Sequence, residues 1–269
     1  MQRVSLKIGI VLGLGLAMVG CQSEVVDPGS EDGAVVSRTP ATSLGDVVGI
    51  AVEGTSDRLF ALSATGVLSV FENQAWREVW RAVEVPEGGF TDIAALGQER
   101  FAITGVSDGY LIDLADGELQ SHFCYEPGFW DPMEFGEPAV QVSEAVAYDA
   151  ATDTLYAQPQ DRPQANMSQS FRSQVASYDR VSGADLSWWD LGDPGFTARG
   201  LAVDDTTLLL GADTGIYRFD PANGAMDEVV DLASLGVMQI EGFSLDGNGH
   251  WWVLDSGSSQ ILEIDSSRF

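Results

Sequence analysis

The side chains able to do chemistry in this chain are overwhelmingly carboxylates. Asp and Glu number 41 against 13 Lys and Arg, with only two His (His122 and His250) and two Cys (Cys21 and Cys124). A histidine relay or a histidine-based metal cluster has little material to draw on. No serine nucleophile elbow, paired-histidine helix motif, Walker loop or dinucleotide fingerprint occurs. Paired carboxylates serve glycoside hydrolysis, but with acids this plentiful only geometry can single out a pair. Four polar residues stand apart by position. Thr91, Glu144, Arg199 and Glu241, together with Val48, each head a recurring apolar segment. Two carboxylates and one guanidinium on a small ring can bind a divalent cation such as Ca2+ through Glu144 and Glu241, or a polar ligand gripped by Arg199. Equally, Arg199 can neutralise both acids in a structural ion-pair cluster. The run Asp246-Gly-Asn248-Gly-His250 opens like a calcium loop, but Gly257 stands at the twelfth position, where such a loop needs Glu. It reads as a hairpin turn.

The elements that position these residues come from an internal repeat. The segments VGIAVE, TDIAAL, EAVAYD, RGLAVD and EGFSLD begin at Val48, Thr91, Glu144, Arg199 and Glu241, spaced 43, 53, 55 and 42 residues apart. Each leads into two further apolar runs, and the first four copies add a third. The runs are short, rich in β-branched and aromatic residues, and often alternate apolar with polar, which is strand patterning. Asp116-Gly117, Ser182-Gly183 and Asn223-Gly224 separate the third and fourth runs, where tight turns need positive φ. Asp231–Met238 is the best short helical candidate. Four antiparallel strands about every 43 residues are the signature of a β-propeller blade. The fold class is therefore all-β: one propeller over residues 35–269, with five four-stranded blades, or six if a long interval hides a degenerate copy. A flat β-sandwich is the other architecture open to such strands. The fifth copy ends after its third strand, so Ala34-Val35-Val36-Ser37-Arg38 is expected to supply the missing outer strand and close the ring.

Phe243 to Asp265 resembles one repeat of the NHL, SMP-30 and YVTN group of propellers, with an Asp-Gly-Asn turn, an apolar strand, Asp-Ser-Gly and a strand ending in Asp. Gly200 to Gly224 follows the scheme more loosely. The resemblance implies a propeller over about residues 45–265 and no particular activity, since such folds host many functions. SMP-30-like lactonases hold a metal at the channel with one Glu, Asn residues and an Asp. Glu144 or Glu241 would match the Glu, but no leading position carries Asn, which leaves that ligand set incomplete.

The first residues point to export. Arg3 and Lys7 precede an uncharged stretch from Ile8 to Val19, too short to span a bilayer as a helix. The sequence MVGC resembles the lipobox of bacterial lipoproteins, with Met18 where Leu is usual. That resemblance implies a signal peptide over 1–20, lipidation of Cys21 and, from Gln22, an outer-membrane destination facing the periplasm or the exterior. Residues 21–34 are acidic, small and polar, and are expected to form a flexible tether.

The formal net charge of −28 grows by two when Arg3 and Lys7 leave with the signal peptide. Such a surface repels nucleic acid and anionic headgroups, so neither is an expected partner. Acylation of Cys21 leaves Cys124 without an intramolecular partner, so no disulfide framework is expected. Two insertions account for the long intervals. Cys124–Pro138 offers Phe129, Trp130, Met133 and Phe135 on a proline-stiffened segment, residue types enriched at binding hot spots. Gln158–Ser173 is polar. Trp188, Trp189, Trp251 and Trp252 fall in strands, where packing between blades is expected. The expected function is a monomeric, non-enzymatic envelope module that binds a protein, peptide or glycan and carries no cofactor. The alternative is a metal-dependent lactonase- or esterase-like hydrolase.

Overall fold

The computed structural model describes residues 31–54, 58–106, 108–124, 140–162, 172–191 and 196–269. The segment 1–20 expected to be a signal peptide, Cys21 and the loop residues Phe129, Trp130, Met133 and Phe135 lie outside them. Twenty strands form five four-stranded antiparallel sheets. Blade 1 is β2 (Val47–Glu53), β3 (Arg58–Ser63), β4 (Val67–Glu72) and β5 (Ala75–Arg81). Blade 2 is β6 (Phe90–Gly97), β7 (Arg100–Gly105), β8 (Asp108–Asp113) and β9 (Leu119–Cys124). Blade 3 is β10 (Val140–Asp149), β11 (Thr154–Arg162), β12 (Arg172–Asp179) and β13 (Asp185–Asp190). Blade 4 is β14 (Ala198–Asp204), β15 (Thr207–Ala212), β16 (Gly215–Asp220) and β17 (Ala225–Asp231). Blade 5 is β18 (Ile240–Leu245), β19 (His250–Asp255) and β20 (Gln260–Asp265), completed by β1 (Val35–Pro40) from the other end of the chain. Five is the blade count, and the six-bladed and sandwich alternatives fall away.

Three hairpins share one local device. β8, β12 and β16 each end in an Asp whose carbonyl accepts the N–H of a Gly four residues on, at 2.8 Å in Asp113–Gly117, Asp179–Gly183 and Asp220–Gly224. The same Asp side chains accept backbone N–H groups inside the turn, from Ala115, Ser182 and Ala222. The glycines sit at φ 73°, 70° and 73°, the left-handed region that a β-carbon disfavours. A repeated Asp-x-x-x-Gly thus fixes where the third strand stops and the fourth begins.

The ring closes as expected: β1 pairs antiparallel with β20, Ser37 opposite Glu263 and Thr39 opposite Ile261. The last four residues of the expected tether are part of the fold. Glu31–Ala34 forms a 3-10 turn, and Ala34 is buried with Val35 in the core between blades 4 and 5. The second insertion is also shorter than its composition suggests. β10 and β11 pair through Ser143–Pro159 out to Val140–Arg162, because a ladder needs only backbone groups and tolerates polar side chains. The helical candidate becomes a 3-10 turn, Leu232–Leu235, whose first turn is capped by Asp231 and which ends at Gly236 in left-handed geometry.

The core lies between blades. Trp251 packs with Phe243, Leu209 and Ile216, whereas Trp252 packs with Ile50, Val52 and Leu59 on the other face of its sheet. Trp188 and Trp189 divide in the same way between the clusters of Tyr178 and of Phe219. Successive strand residues point to opposite faces, so each pair of tryptophans anchors one blade to both neighbours.

Candidate functional site at the channel mouth

Each innermost strand carries a β-bulge, and in all five blades the same residue is bulged. Register skips Val48 in β2, Thr91 in β6, Glu144 in β10, Arg199 in β14 and Glu241 in β18. A bulge leaves its extra residue unpaired and re-aims the side chain, a feature common at barrel rims and beside active sites. The ring therefore sets five equivalent positions at one end of the central channel, and the sequence decides what stands there.

Arg199 organises the polar half. Its Nη1 donates to Glu241 Oε1 at 2.8 Å and lies 3.7 Å from Glu144 Oε2. The Glu144 side chain is 6% exposed, that of Glu241 20% and that of Arg199 34%. Burial pushes the Glu241 carboxyl above its usual range; the Arg199 charge and hydrogen bond pull it down, and Glu144 pushes it up. Thr91 donates to the Thr104 hydroxyl at 3.0 Å, and Val48 packs against the core between blades 1 and 2. The guanidinium already occupies the place between Glu144 and Glu241 that a divalent cation would need. Those two residues do not fit a metal there while Arg199 stands between them.

The structure adds a residue that the reading of the leading positions passes over. Asp92 follows Thr91 and is fully buried. Its Oδ2 accepts the Val146 N–H of blade 3 at 2.9 Å, while Oδ1 lies against Gly49 of blade 1 without a hydrogen bond. Burial pushes this carboxyl well above the usual range, the backbone N–H groups of Val146 and neighbouring Ile93 pull it down, and the charge of Glu241 adds to the rise. The signal was present in the repeat. The four equivalent positions hold Gly49, Ala145, Gly200 and Gly242, all small, and Asp alone breaks the series.

Asp92 makes a pH prediction with a definite sign. Its folded pKa is raised, so the folded state binds the proton more tightly than the unfolded chain. The contribution of Asp92 to stability is then greatest below the unfolded carboxyl range and is lost as pH rises through the folded pKa, by up to about 1.4 kcal/mol per pH unit. Asp92→Asn keeps an acceptor for Val146 and removes the charge. Relative to wild type it should gain stability at neutral pH and lose that gain in acid, measured by denaturant melts from pH 4 to 8. A difference that does not change with pH would show that Asp92 does not titrate as assigned.

Below the mouth the channel is narrow. A cavity of about 90 Å³, lined by Ala94, Ala95, Ala147, Ala202 and their strand neighbours, has room for a few waters and falls well short of an organic ligand's pocket. Within the channel, ligand contact is therefore a matter for the mouth; a larger cleft of about 520 Å³ lies outside the channel, against Trp80, Pro86, Tyr110 and Leu119.

No family model and no curated protein sequence matches the chain. Among solved structures it is similar to Myxococcus xanthus glutaminyl cyclase, with a TM-score of 0.60, 13% identity, and coverage of 86% of this chain and 94% of that one. It is also similar to a gluconolactonase from Xanthomonas campestris, with a TM-score of 0.53, 12% identity, and coverage of 81% and 72%. At such identity the likeness is one of fold, and the chain is a five-bladed β-propeller closed by its own N-terminal strand.

Proposed function

We propose that this propeller is a lipid-anchored module of the bacterial envelope, at the outer membrane, that binds a protein, peptide or glycan at its channel mouth. The observation that carries the reading is Arg199. In a chain with formal charge −28, one guanidinium is held at the rim by Glu241, one-third open to water, and its other N–H groups make no hydrogen bond among the described residues. An arginine offers five donors in a fixed fork. Fixed on a carboxylate through one nitrogen, it presents the rest to an acceptor-rich ligand such as a peptide carboxylate or a glycan. Glu144 and Glu241 beside it favour a ligand that also carries donors.

The test separates binding from folding. Arg199→Gln strips Glu241 of its counter-charge, and removing one partner of a buried pair costs about 3–5 kcal/mol. Because Arg199 is partly solvated, the expected cost here is about 2 kcal/mol, or roughly 4–8 °C in melting midpoint. Arg199→Lys keeps the charge but loses the planar fork, so it should melt near wild type while failing to retain the envelope ligand captured by the wild-type protein. Equal retention by wild type and Arg199→Lys would overturn the reading.

One observation favours a second reading, a hydrolase of the lactonase or esterase class. Glu241 and Asp92, both with carboxyls pushed upward, lie at the mouth and just behind it, and raised carboxyls are candidates for proton transfer. Two fold neighbours carry enzyme names. Hydrolysis of lactones or esters by the wild type, abolished in Glu241→Gln, would make this the better account.

A further inference from the structure

A second group of side chains lies away from the channel mouth, in the closing blade. Asp246, at the start of the β18–β19 turn, His250, at the start of β19, and Glu263, in β20, bring three donor atoms within 4.8 Å of one another. His250 Nδ1 is 2.8 Å from Glu263 Oε1 and 3.7 Å from Asp246 Oδ2. Donors bound to zinc at about 2.0–2.2 Å in a tetrahedral site stand roughly 3.3–3.6 Å apart. These separations bracket that edge, so shifts of a fraction of an ångström to about one ångström would complete it.

The surroundings hold each ligand in place. Asp246 Oδ1 accepts the backbone N–H groups of Asn248 and His250 at 2.8 and 2.9 Å, and Oδ2 accepts Trp252 Nε1 at 3.1 Å. Glu263 Oε2 accepts the Ser37 hydroxyl at 2.7 Å, which leaves Oε1 toward the imidazole. Such outer hydrogen bonds orient metal ligands and set their basicity. Asp246 is buried to 2% side-chain exposure, while His250 at 28% and Glu263 at 17% leave one side open for a water as fourth ligand.

We infer that Asp246, His250 and Glu263 bind one zinc-class divalent ion, which joins the β18–β19 turn to β20 and, through Ser37, to the closing strand. An imidazole with two carboxylates suits zinc or cobalt, while calcium takes six to eight oxygens that this site does not offer. The strongly acidic chain raises the local concentration of any divalent cation. The ion would take the place of the direct contact between His250 Nδ1 and Glu263 Oε1. This site is independent of the channel mouth and of whatever binds there.

The experiment uses the full chain purified in detergent, stripped with chelator and then given Zn2+, Co2+ or Ca2+. The expected result is one zinc per chain, a melting point several degrees higher with zinc and unmoved by calcium, and the visible absorption of four-coordinate cobalt. His250→Gln and Glu263→Gln should each weaken zinc binding by at least about tenfold, and Ser37→Ala by a similar factor through its outer hydrogen bond. If one ligand variant fails to fold, the other and the wild-type cobalt spectrum still decide. Absence of stoichiometric zinc from wild type, or zinc retained equally by the folded ligand variants, would overturn the site.

Discussion

Replacing Gly200 by alanine is expected to lower the melting point by about 6–12 °C. Gly200 follows the bulged Arg199, where β14 runs against β18. A β-carbon there would press on the Phe243 β-carbon and backbone nitrogen closer than carbon atoms pack, and would stand 2.9 Å from the Gly242 carbonyl carbon. The obstacle is backbone and the stem of a buried ring, so no flexible side-chain end can swing aside. Overpacking in a fixed core costs about 1–3 kcal/mol; a clash with backbone puts this site at the upper end, about 3 kcal/mol, and each kcal/mol is worth about 2–4 °C in a domain of this size. The glycine is chosen here for space, not for backbone conformation. Gly224 shows the opposite case: φ is 73° and nothing lies within 4 Å of the place a β-carbon would take, so Gly224→Asn should cost far less. Scanning calorimetry of both variants checks the pair. A Gly200→Ala protein melting within a degree or two of wild type would mean that the inner strands do not approach as described. The same variant should disturb Arg199 and weaken ligand capture, because the bulge that aims the guanidinium is directly adjacent.

A chain lacking residues up to 40 is expected to lose cooperative folding as a monomer. Without β1, the outer edge of β20 opens over five paired positions, and Val35, Thr39 and Ala34 leave buried sites. Arg38 no longer reaches the Leu235 carbonyl, a bond of 2.9 Å that ties the closing strand to the turn after blade 4. Burying one valine is worth about 1.5–3 kcal/mol and each hydrogen bond about 0.5–1.5. Together these losses are comparable with the entire margin of about 5–15 kcal/mol that keeps a domain folded. The exposed edge is also a template for pairing with another copy. A synthetic peptide of residues 31–42 added to the truncated chain should restore the transition by strand addition, seen as a concentration-dependent rise in melting point. Truncation without effect on the melt would show that closure contributes little.

Most of the architecture was legible in the sequence, and the reason is locality. Alternation of apolar and polar residues and Asp-Gly, Ser-Gly and Asn-Gly turns act over a few neighbours, and five copies of the pattern about 43 residues apart reinforce one another. The closing strand was legible by subtraction, since an unclosed last blade leaves an edge to fill. The leading positions of the repeat also placed Thr91, Glu144, Arg199 and Glu241 together, because equivalent residues of a ring share one end of it. What stayed hidden depends on distances between blades. Asp92 sits between Gly49 and Val146, 43 and 54 residues away, and only the close approach of three inner strands strips its carboxyl of water. The run from Asp246 to His250 was correctly a turn, yet its two ligating side chains meet Glu263 only once β20 lies beside β19. The sequence by itself determined the strands and which residues head each blade, and narrowed the blade count to five or six, because these follow from short-range patterning; the sheet pairing settled it at five. The tertiary structure alone decided which charges pair and which are buried, because desolvation and Coulomb energies change over a few ångströms that no spacing along a chain specifies.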